Sequence, residues 1–328
     1  MSTYRSGKRV MNRGFIVATV LVLFLVSNMM AQDHSVWVTN ELQHDVTVID
    51  GESERVLATI NTGQKPHNVS FSRDGKLAFI ANVGSHTIDI VDTATYEIIA
   101  TVSSPNLAGK KPHGPTMHPR RNELWVANPA GDDVAIINLS SYEVTEFVPV
   151  GDAPALVIFS RDGDMAYVPN GNSADISVID VATRKVITSI PTGEGAMGTS
   201  LVGDYIWVAN GGSNTVSIVD PSIQRVVRTL RLATEPHGLA STPDGKMVLV
   251  VLRGSDAVLF IDARTYEPLG AVGVQERPDI IAVSGDGEFA YVTNRSSDTV
   301  SKIDIELRKT VSVIRVGAGP HGVDVLQR

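Results

Sequence analysis

The sequence of 328 residues contains no cysteine, and only 5% of its residues are aromatic. Without cysteine the chain forms no disulfide, offers no thiol nucleophile or thiolate metal ligand, and attaches neither a c-type haem nor a lipid at an N-terminal cysteine. It also lacks a Gly-rich phosphate loop with lysine, a GxSxG turn and an HExxH motif. The formal charge of -8 provides no concentrated basic surface, so nucleic acid is not expected as a partner.

Long hydrophobic runs are also scarce, and the clearest one lies near the N-terminus. Residues 1–14 carry basic side chains and no acid, residues 15–26 are predominantly apolar, and residues 27–31 lead to a small residue. This order is typical of a signal peptide for general secretion. We predict a signal peptide at residues 1–31, cleaved after Ala31 or kept as an anchor, and a periplasmic or secreted protein that is not a lipoprotein. Twelve apolar residues span only ~18 Å as a helix, too little for a stable membrane crossing.

The remainder of the chain repeats one five-residue phrase, such as VWVTN or LWVAN, seven times. The copies begin at Val36, Ala78, Leu124, Ala166, Ile206, Val248 and Ala290. Their spacings are 42, 46, 42, 40, 42 and 42 residues. Each copy is followed by two further strand-like segments, a Gly-containing loop and another strand, which often ends in an Asp-Gly hairpin turn. Four short antiparallel strands in each unit predict a β-propeller.

The two ends of the chain predict how this propeller closes. The first phrase begins in the middle of a repeat, and residues 320–328 resemble an inner strand without its partners. The predicted inner strands begin at Pro66, Pro112, Pro154, Ala196, Pro236, Pro278 and Pro320. We therefore predict one all-β domain at residues 32–328, a seven-bladed propeller with four antiparallel strands per blade. The C-terminal inner strand joins the three N-terminal strands, which removes the open sheet edges.

Three phrases resemble the YVTN-repeat, YncE-like bacterial propellers. They are YVTN at Tyr291–Asn294, SNTVSIVD at Ser213–Asp220 and PHGLASTPDG at Pro236–Gly245, and the resemblance covers the whole mature chain. It implies an exported propeller from a family whose members mostly have no assigned function. More distant similarity extends to the haem domain of cytochrome-cd nitrite reductases and its biosynthetic relatives, nitrous oxide reductase, accessory subunits of redox complexes and lactonase-like enzymes. The shared fold does not choose among these functions.

The second position of each inner strand is expected to face the mouth of the central channel. In blade order these positions hold His67, His113, Ala155, Met197, His237, Asp279 and His321. Because the ring closes, its four histidines and Asp279 are contiguous. Converging imidazole and carboxylate groups bind copper, iron or zinc, and a thioether favours copper. We predict a metal site formed by His67, His113, His237, His321, Asp279 and Met197, or a cofactor site in which the same four histidines ligate or flank a tetrapyrrole.

Duplication of a Pro-His-Gly repeat also explains this ring, so several functions remain open. The favoured prediction is a non-catalytic binding or scaffold protein with a protein partner or small ligand at the channel mouth, accessory to a periplasmic redox system. The first alternative is a metal- or tetrapyrrole-binding protein of the oxidoreductase type. The second is a small-molecule hydrolase or lyase at the same mouth. The sequence identifies no catalytic residue, and enzymatic activity is not the favoured interpretation.

Departures from the repeat mark further positions of interest. The longest repeat carries an insertion, Ser103–Lys111, beside the predicted mouth, and the sixth phrase ends in Leu252-Arg253 in place of asparagine. His118 is a candidate additional ligand or a group that supports one. By contrast, the repeated Asn and strand-ending acids are expected to bind turn backbone. The three tryptophans, Trp37, Trp125 and Trp207, are expected to pack between blades.

Overall fold

The computed structural model describes residues 1–3 and 34–327, so nearly all of the predicted signal peptide lies outside the described residues. In the described part of the chain there are 28 β-strands and two short 3-10 helices, which confirms the all-β prediction. Among those residues, no helix is long and apolar enough to cross a membrane.

The strands are short, and most contain five to seven residues. The first fourteen are β1 (His34–Asn40), β2 (Asp45–Asp50), β3 (Val56–Asn61), β4 (Pro66–Phe71), β5 (Leu77–Asn82), β6 (Thr87–Asp92), β7 (Ile98–Val102), β8 (His113–Met117), β9 (Glu123–Asn128), β10 (Asp133–Asn138), β11 (Glu143–Pro149), β12 (Ile158–Phe159), β13 (Met165–Asn170) and β14 (Asp175–Asp180). The others are β15 (Lys185–Pro191), β16 (Ala196–Val202), β17 (Tyr205–Asn210), β18 (Thr215–Asp220), β19 (Arg225–Arg231), β20 (Pro236–Ser241), β21 (Met247–Leu252), β22 (Ala257–Asp262), β23 (Pro268–Gly273), β24 (Pro278–Val283), β25 (Phe289–Asn294), β26 (Thr299–Asp304), β27 (Lys309–Arg315) and β28 (Pro320–Gln327). The 3-10 helices are Pro105–Leu107 and Arg253–Ser255.

These strands form seven four-stranded antiparallel sheets, which are the predicted blades. Blades 1 to 6 follow the chain as β4–β7, β8–β11, β12–β15, β16–β19, β20–β23 and β24–β27. Blade 7 has the order β28-β1-β2-β3. The C-terminal strand β28 pairs with β1, where Val36 lies opposite Val325 and Trp37 opposite Asp324. The predicted closure of the propeller by the two ends of the chain is therefore confirmed.

Two inner strands begin later than the sequence predicts. Strand β8 begins at His113, one residue after Pro112, and β12 contains only Ile158–Phe159. In blade 3, Pro154 makes an isolated bridge to Asn170, and regular pairing resumes at Ile158. The inner strand has four steps between these pairs and its partner has three, so the extra residue that the other inner strands also carry here interrupts the regular pairing.

The second and third strands of each blade supply the core, and the tryptophans pack across blade boundaries as predicted. Trp37 and Trp125 are fully buried. Trp37 contacts Phe71 of blade 1 with ring centroids 5.5 Å apart, and Trp125 contacts Phe159 of blade 3 at 5.3 Å. Edge-to-face aromatic contacts of this kind stabilise the fold beyond the burial of apolar surface alone. Each tryptophan therefore stabilises the packing of one blade against the next.

The repeated polar residues at strand ends are structural. Asp92 accepts hydrogen bonds from the backbone N–H groups of the turn that follows it, as predicted for the strand-ending acids. The repeated asparagine acts differently from the prediction. In Asn210, the side-chain amide donates to the hydroxyls of Thr215 and Ser217 on the adjacent strand. The asparagines therefore connect side chains across a hairpin, because their buried amides reach hydroxyls or, as in Asn128 with Asp133, a carboxylate of the adjacent strand.

Candidate functional site

A β-bulge directs one residue of each inner strand toward the channel mouth. In blade 5, Pro236 pairs with Leu252 and Leu239 pairs with Val250, so the inner strand has one extra residue in this interval. Such a bulge changes the direction of a side chain. The next position is often glycine because neighbouring blades come very close. A Cβ on Gly238 would lie 2.6 Å from the carbonyl oxygen of Asp279.

The structure brings the predicted histidines and Asp279 together, and we call these five residues the histidine cluster: His67, His113, His237, Asp279 and His321. The ring centroids of His67 and His321 are 3.4 Å apart, and those of His67 and His113 are 4.0 Å apart. Asp279 lies between two imidazoles, with carboxylate oxygens 3.2 Å from His237 Nδ1 and 3.3 Å from His321 Nε2. The contiguity inferred from ring closure is thus present in the structure.

The imidazoles are oriented by the backbone of the next blade. His321 Nδ1 lies 2.8 Å from the carbonyl oxygen of His67, and His237 Nδ1 lies 3.2 Å from that of Asp279. His113 Nδ1 makes the equivalent contact with the carbonyl of Ala155. A proton on Nδ1 satisfies each carbonyl and leaves Nε2 as the nitrogen with a free lone pair.

Two arginines that the sequence analysis did not place in the site hold Asp279. Arg253 forms an ion pair with its carboxylate, and Arg295 Nη1 lies 3.4 Å from the second oxygen. Arg295 also pairs with Glu41. Arg253, Arg295 and Glu41 each directly follow a repeat phrase. The departure Leu252-Arg253 in the sixth phrase is therefore the sequence feature that could have identified these charged residues at the mouth.

Burial and charge together determine the protonation of this cluster. Burial would raise the pKa of Asp279. Electrostatic interactions with His321, His237 and Arg253 outweigh this effect and keep the pKa well below its usual range. Burial lowers the pKa of His321 to about 3, although Asp279 acts in the opposite direction. The pKa values of His67 and His113 are also well below the usual range, mainly because of burial. At neutral pH the cluster therefore combines neutral imidazoles with an ionised, arginine-bound carboxylate.

His321 has more acceptors than a neutral imidazole can satisfy. Its Nδ1 faces the carbonyl of His67 and its Nε2 faces the carboxylate of Asp279. A neutral imidazole has one N–H, so one of these two contacts lacks a proton. Because His321 is only 4% exposed, water has little access to relieve this conflict. A ligand that supplies a proton donor or a positive charge would do so.

Two cavities meet at the histidine cluster. An outer depression of about 460 Å³ lies at the mouth, and a channel cavity of about 320 Å³ lies inside it. His67 and His113 line both cavities, so their imidazoles form the partition. Met197 lines the channel cavity on the far side of the ring, and Lys65 and Lys111 line the outer depression.

The outer depression also contains an imidazole without a partner. In blade 7, the Nδ1 of His44 accepts a hydrogen bond from the backbone N–H of Lys65, the residue before the next inner strand. His86 occupies the equivalent position in blade 1, but its Nδ1 is buried with no partner. The repeat that follows is four residues longer, through the insertion Ser103–Lys111, which breaks the equivalent contact. The insertion thus leaves His86 free at the edge of the mouth.

His118 and Lys110, a residue of the insertion Ser103–Lys111, lie outside the cluster. Both ring nitrogens of His118 contact backbone: Nε2 lies 2.9 Å from the carbonyl of Gly163, and Nδ1 accepts from the N–H groups of Arg120 and Arg121. Lys110 pairs with Asp133. His118 therefore fixes backbone at the opposite end of its strand.

The predicted metal site has its donors side by side but not converging on one point. Within residues 1–3 and 34–327, no group of three or more histidine and acidic side chains is placed to hold a metal ion. The Nδ1 atoms of three imidazoles are committed to carbonyl groups, which leaves Nε2 as the donor. Metal binding by this cluster would thus require the imidazoles to turn toward a common centre.

Comparisons with known proteins agree with this architecture. No protein-family model matches the chain. The chain is 28% identical to the seven-bladed β-propeller protein Rv1057 of Mycobacterium tuberculosis over 40% of its own length and 34% of that protein. It is 24% identical to protein NirF of Stutzerimonas stutzeri over 42% and 37% of the two chains, and 24% identical to the uncharacterized protein YncE of Salmonella typhimurium over 40% and 37%. The chain thus aligns with about a third of the length of each relative.

A solved structure shows the same fold. A chain of hydrazine synthase from Kuenenia stuttgartiensis superposes with a TM-score of 0.72 at 21% identity, covering 79% of this chain and 89% of that chain. The protein is therefore a seven-bladed β-propeller with a histidine cluster at its channel mouth. Its predicted resemblance to the YncE-like propellers is confirmed.

Proposed function

We propose that this chain is an exported, non-catalytic binding propeller whose histidine cluster binds a small ligand. The observation that carries the proposal is the meeting of four imidazoles, two buried and two half-buried, between two cavities. Enclosed sites with a few convergent polar groups are the usual form of small-molecule sites. Both cavities are within or near the size range of such sites, whereas a protein partner would need a broad exposed surface.

The electrostatics of the cluster favour binding over acid–base catalysis. A general acid or base works best with a pKa near the operating pH. Here the pKa values of His67, His113 and His321 are shifted far below that range, and the carboxylate of Asp279 is held by Arg253. His113 and His237, whose Nδ1 atoms face backbone carbonyls, are better suited to accept hydrogen bonds from a ligand through Nε2.

The test is capture of small molecules from a protein-free extract of the source cells. The purified chain and a His67→Gln, His113→Gln double variant are incubated with the extract, separated from it and analysed by mass spectrometry. We expect a compound retained by the wild-type chain and lost from the double variant. A Lys246→Gln variant, altered at a hairpin distant from the cluster, should retain the compound. Equal retention by all three chains, or by none, would contradict the proposal.

A second candidate is the binding of copper, iron or a tetrapyrrole. It is favoured by the backbone contacts of His113, His237 and His321, because metal-binding imidazoles commonly donate their other N–H to a carbonyl group. Elemental analysis and a visible spectrum of the chain purified without chelator test this candidate. About one equivalent of metal, or a Soret-like band, supports it. A colourless, metal-free chain that takes up neither added metal nor haem excludes it.

We propose that the chain acts in the periplasm or outside the cell, as an accessory protein of a redox system. The N-terminal sequence supports export, and the predicted resemblance to exported propellers supports the redox setting. Cell fractionation tests the location, with the chain expected in the periplasm or medium. Recovery in the cytoplasm would contradict it.

A further inference from the structure

The channel cavity that the histidine cluster borders has both polar and apolar groups in its wall. Ser70 and Asp324, from blades 1 and 7, are among the polar groups. Ile158, Met197 and Ile280, from blades 3, 4 and 6, provide apolar surface. The volume of about 320 Å³ is sufficient for a compact organic molecule.

Asp324 places a carboxyl group in this cavity that the repeat does not explain. It follows His321 by three residues on β28, which places it roughly 10 Å further into the channel. The equivalent positions of the other six blades are uncharged: Ser70, Thr116, Ile158, Ser200, Ala240 and Ala282. Duplication of the repeat therefore does not explain why this position carries a carboxylate in blade 7.

The polar groups on this wall are incompletely bonded. Asp324 Oδ1 accepts a hydrogen bond of 2.8 Å from the N–H of Val325. Among the ion pairs of the described residues, none involves Asp324, in contrast to Asp279 with its two arginines. The hydroxyl of Ser70 is buried and has no hydrogen-bond partner. A half-buried carboxylate and a buried hydroxyl in this condition are poorly satisfied unless a donor occupies the cavity.

We propose that the channel cavity binds a compact apolar amine, with its ammonium group at Asp324 and Ser70. An ammonium has three N–H donors and no acceptor, so it matches a carboxylate and a hydroxyl. Its charge compensates that of Asp324, and its hydrocarbon part packs against Ile158, Met197 and Ile280. An anion of the same shape would be repelled, and a neutral alcohol would lack the charge. The ammonium partners, Asp324 and Ser70, each lie three residues beyond the cluster position of their strand, so the inference does not require a ligand bound to the imidazoles, although the four histidines line the same cavity.

Three probes of one shape and different charge test the inference. Benzylammonium, benzyl alcohol and benzoate are titrated into the purified chain at pH 8 by calorimetry. We expect benzylammonium to bind about tenfold more tightly than benzyl alcohol, because a charge-assisted hydrogen bond is added, and benzoate to bind most weakly. In Asp324→Asn this preference should disappear, whereas Asp304→Asn, which removes a charge from a strand end outside the channel, should retain it.

The proposal is overturned if benzylammonium binds no more tightly than benzyl alcohol, if no probe binds at millimolar concentration, or if Asp324→Asn keeps the preference. Circular dichroism establishes whether that variant folds. If it does not, Ser70→Ala decides the matter, since it should weaken benzylammonium severalfold and leave benzyl alcohol unchanged. The Asp324→Asn variant separates this proposal from the previous one, because it should lose the preference for benzylammonium and still retain the extract compound that depends on His67 and His113.

Discussion

At the scale of single residues, the channel contains two carboxylates in opposite conditions. Asp279 is fully buried and bound by arginines, whereas Asp324 faces the cavity without an ion pair. Burial acts on both, and neighbouring charges decide the difference between them. The pKa of Asp279 lies well below its usual range, and burial raises the pKa of Asp324 to about 7.

The first prediction concerns Arg253. Replacing it with glutamine leaves Asp279 buried with only Arg295 as a fixed positive partner, and removing one member of a buried ion pair is strongly destabilising. We expect the free energy of unfolding to fall by about 2–4 kcal/mol. Urea denaturation at pH 7 measures this. Arg120→Gln, which breaks the exposed pair with Asp164, is the control and should cost less than about 1 kcal/mol. Equal losses in the two variants would contradict the account.

The second prediction concerns pH and Asp324. An unfolded aspartate titrates near pH 4, and the folded group near pH 7, so the folded chain holds the extra proton between these values. The contribution of Asp324 to stability is therefore present below pH 4 and is lost as pH rises toward 7. Asp324→Asn lacks this loss. Its free energy of unfolding should therefore exceed that of the wild-type chain by about 1–3 kcal/mol at pH 8. This difference in the free energy of unfolding, measured by urea denaturation, should become smaller at pH 5. A difference that does not change with pH would contradict the prediction.

At the scale of strands and blades, the repeat determines most of the local structure. The phrase and its spacing predict the strands, the hairpins and the ring of inner-strand positions, because each depends on local alternation and turn chemistry. The late start of β12 was not predicted, since the sequence does not show that pairing is interrupted between Pro154 and Ile158 while other inner strands with the same extra residue pair from their first residue. Arg253 and Asp324 were also missed. Their roles depend on contacts between blades, which the pattern of one repeat does not contain.

The third prediction tests whether the repeated asparagine stabilises its hairpin. Asn210→Ala removes the donor to Thr215 and Ser217 and leaves the hydroxyl of Ser217 buried in blade 4 without this partner. We expect a loss of about 1–3 kcal/mol in the free energy of unfolding. Asn172→Ala, at an exposed turn of blade 3, is the control and should change stability by less than about 0.5 kcal/mol. Equal effects would show that these hydrogen bonds have no energetic role.

At the scale of the whole molecule, closure of the ring depends on the last strand. Strand β1 is buried along its whole length, and β28 covers its edge. Contacts from blade 6 reinforce this junction: the hydroxyl of Tyr291 lies 2.7 Å from His34 Nε2, and Lys302 donates to the carbonyl of Gly51 at 2.8 Å. Blade 7 is therefore held by both ends of the chain and by its neighbour.

The fourth prediction follows from this closure. Deleting residues 320–328 exposes the edge of β1 and removes His321 and Asp324, so the truncated chain should aggregate or lose its cooperative unfolding transition. A circular permutant that joins residue 327 to residue 34 and opens within the insertion at Gly109 keeps every blade complete. It should unfold cooperatively, with a stability near that of the natural chain order. A truncated chain as stable as the permutant would contradict the role assigned to β28.

The most direct test of the central claim is native mass spectrometry of the chain isolated from its natural compartment, beside a His113→Gln, His321→Gln variant expressed in the same way. If the histidine cluster is a binding site, the wild-type chain should carry a defined mass in excess of its sequence, and the variant should have lost that mass while remaining folded. Identical masses for the two folded chains, both equal to the mass of the polypeptide, would contradict the claim.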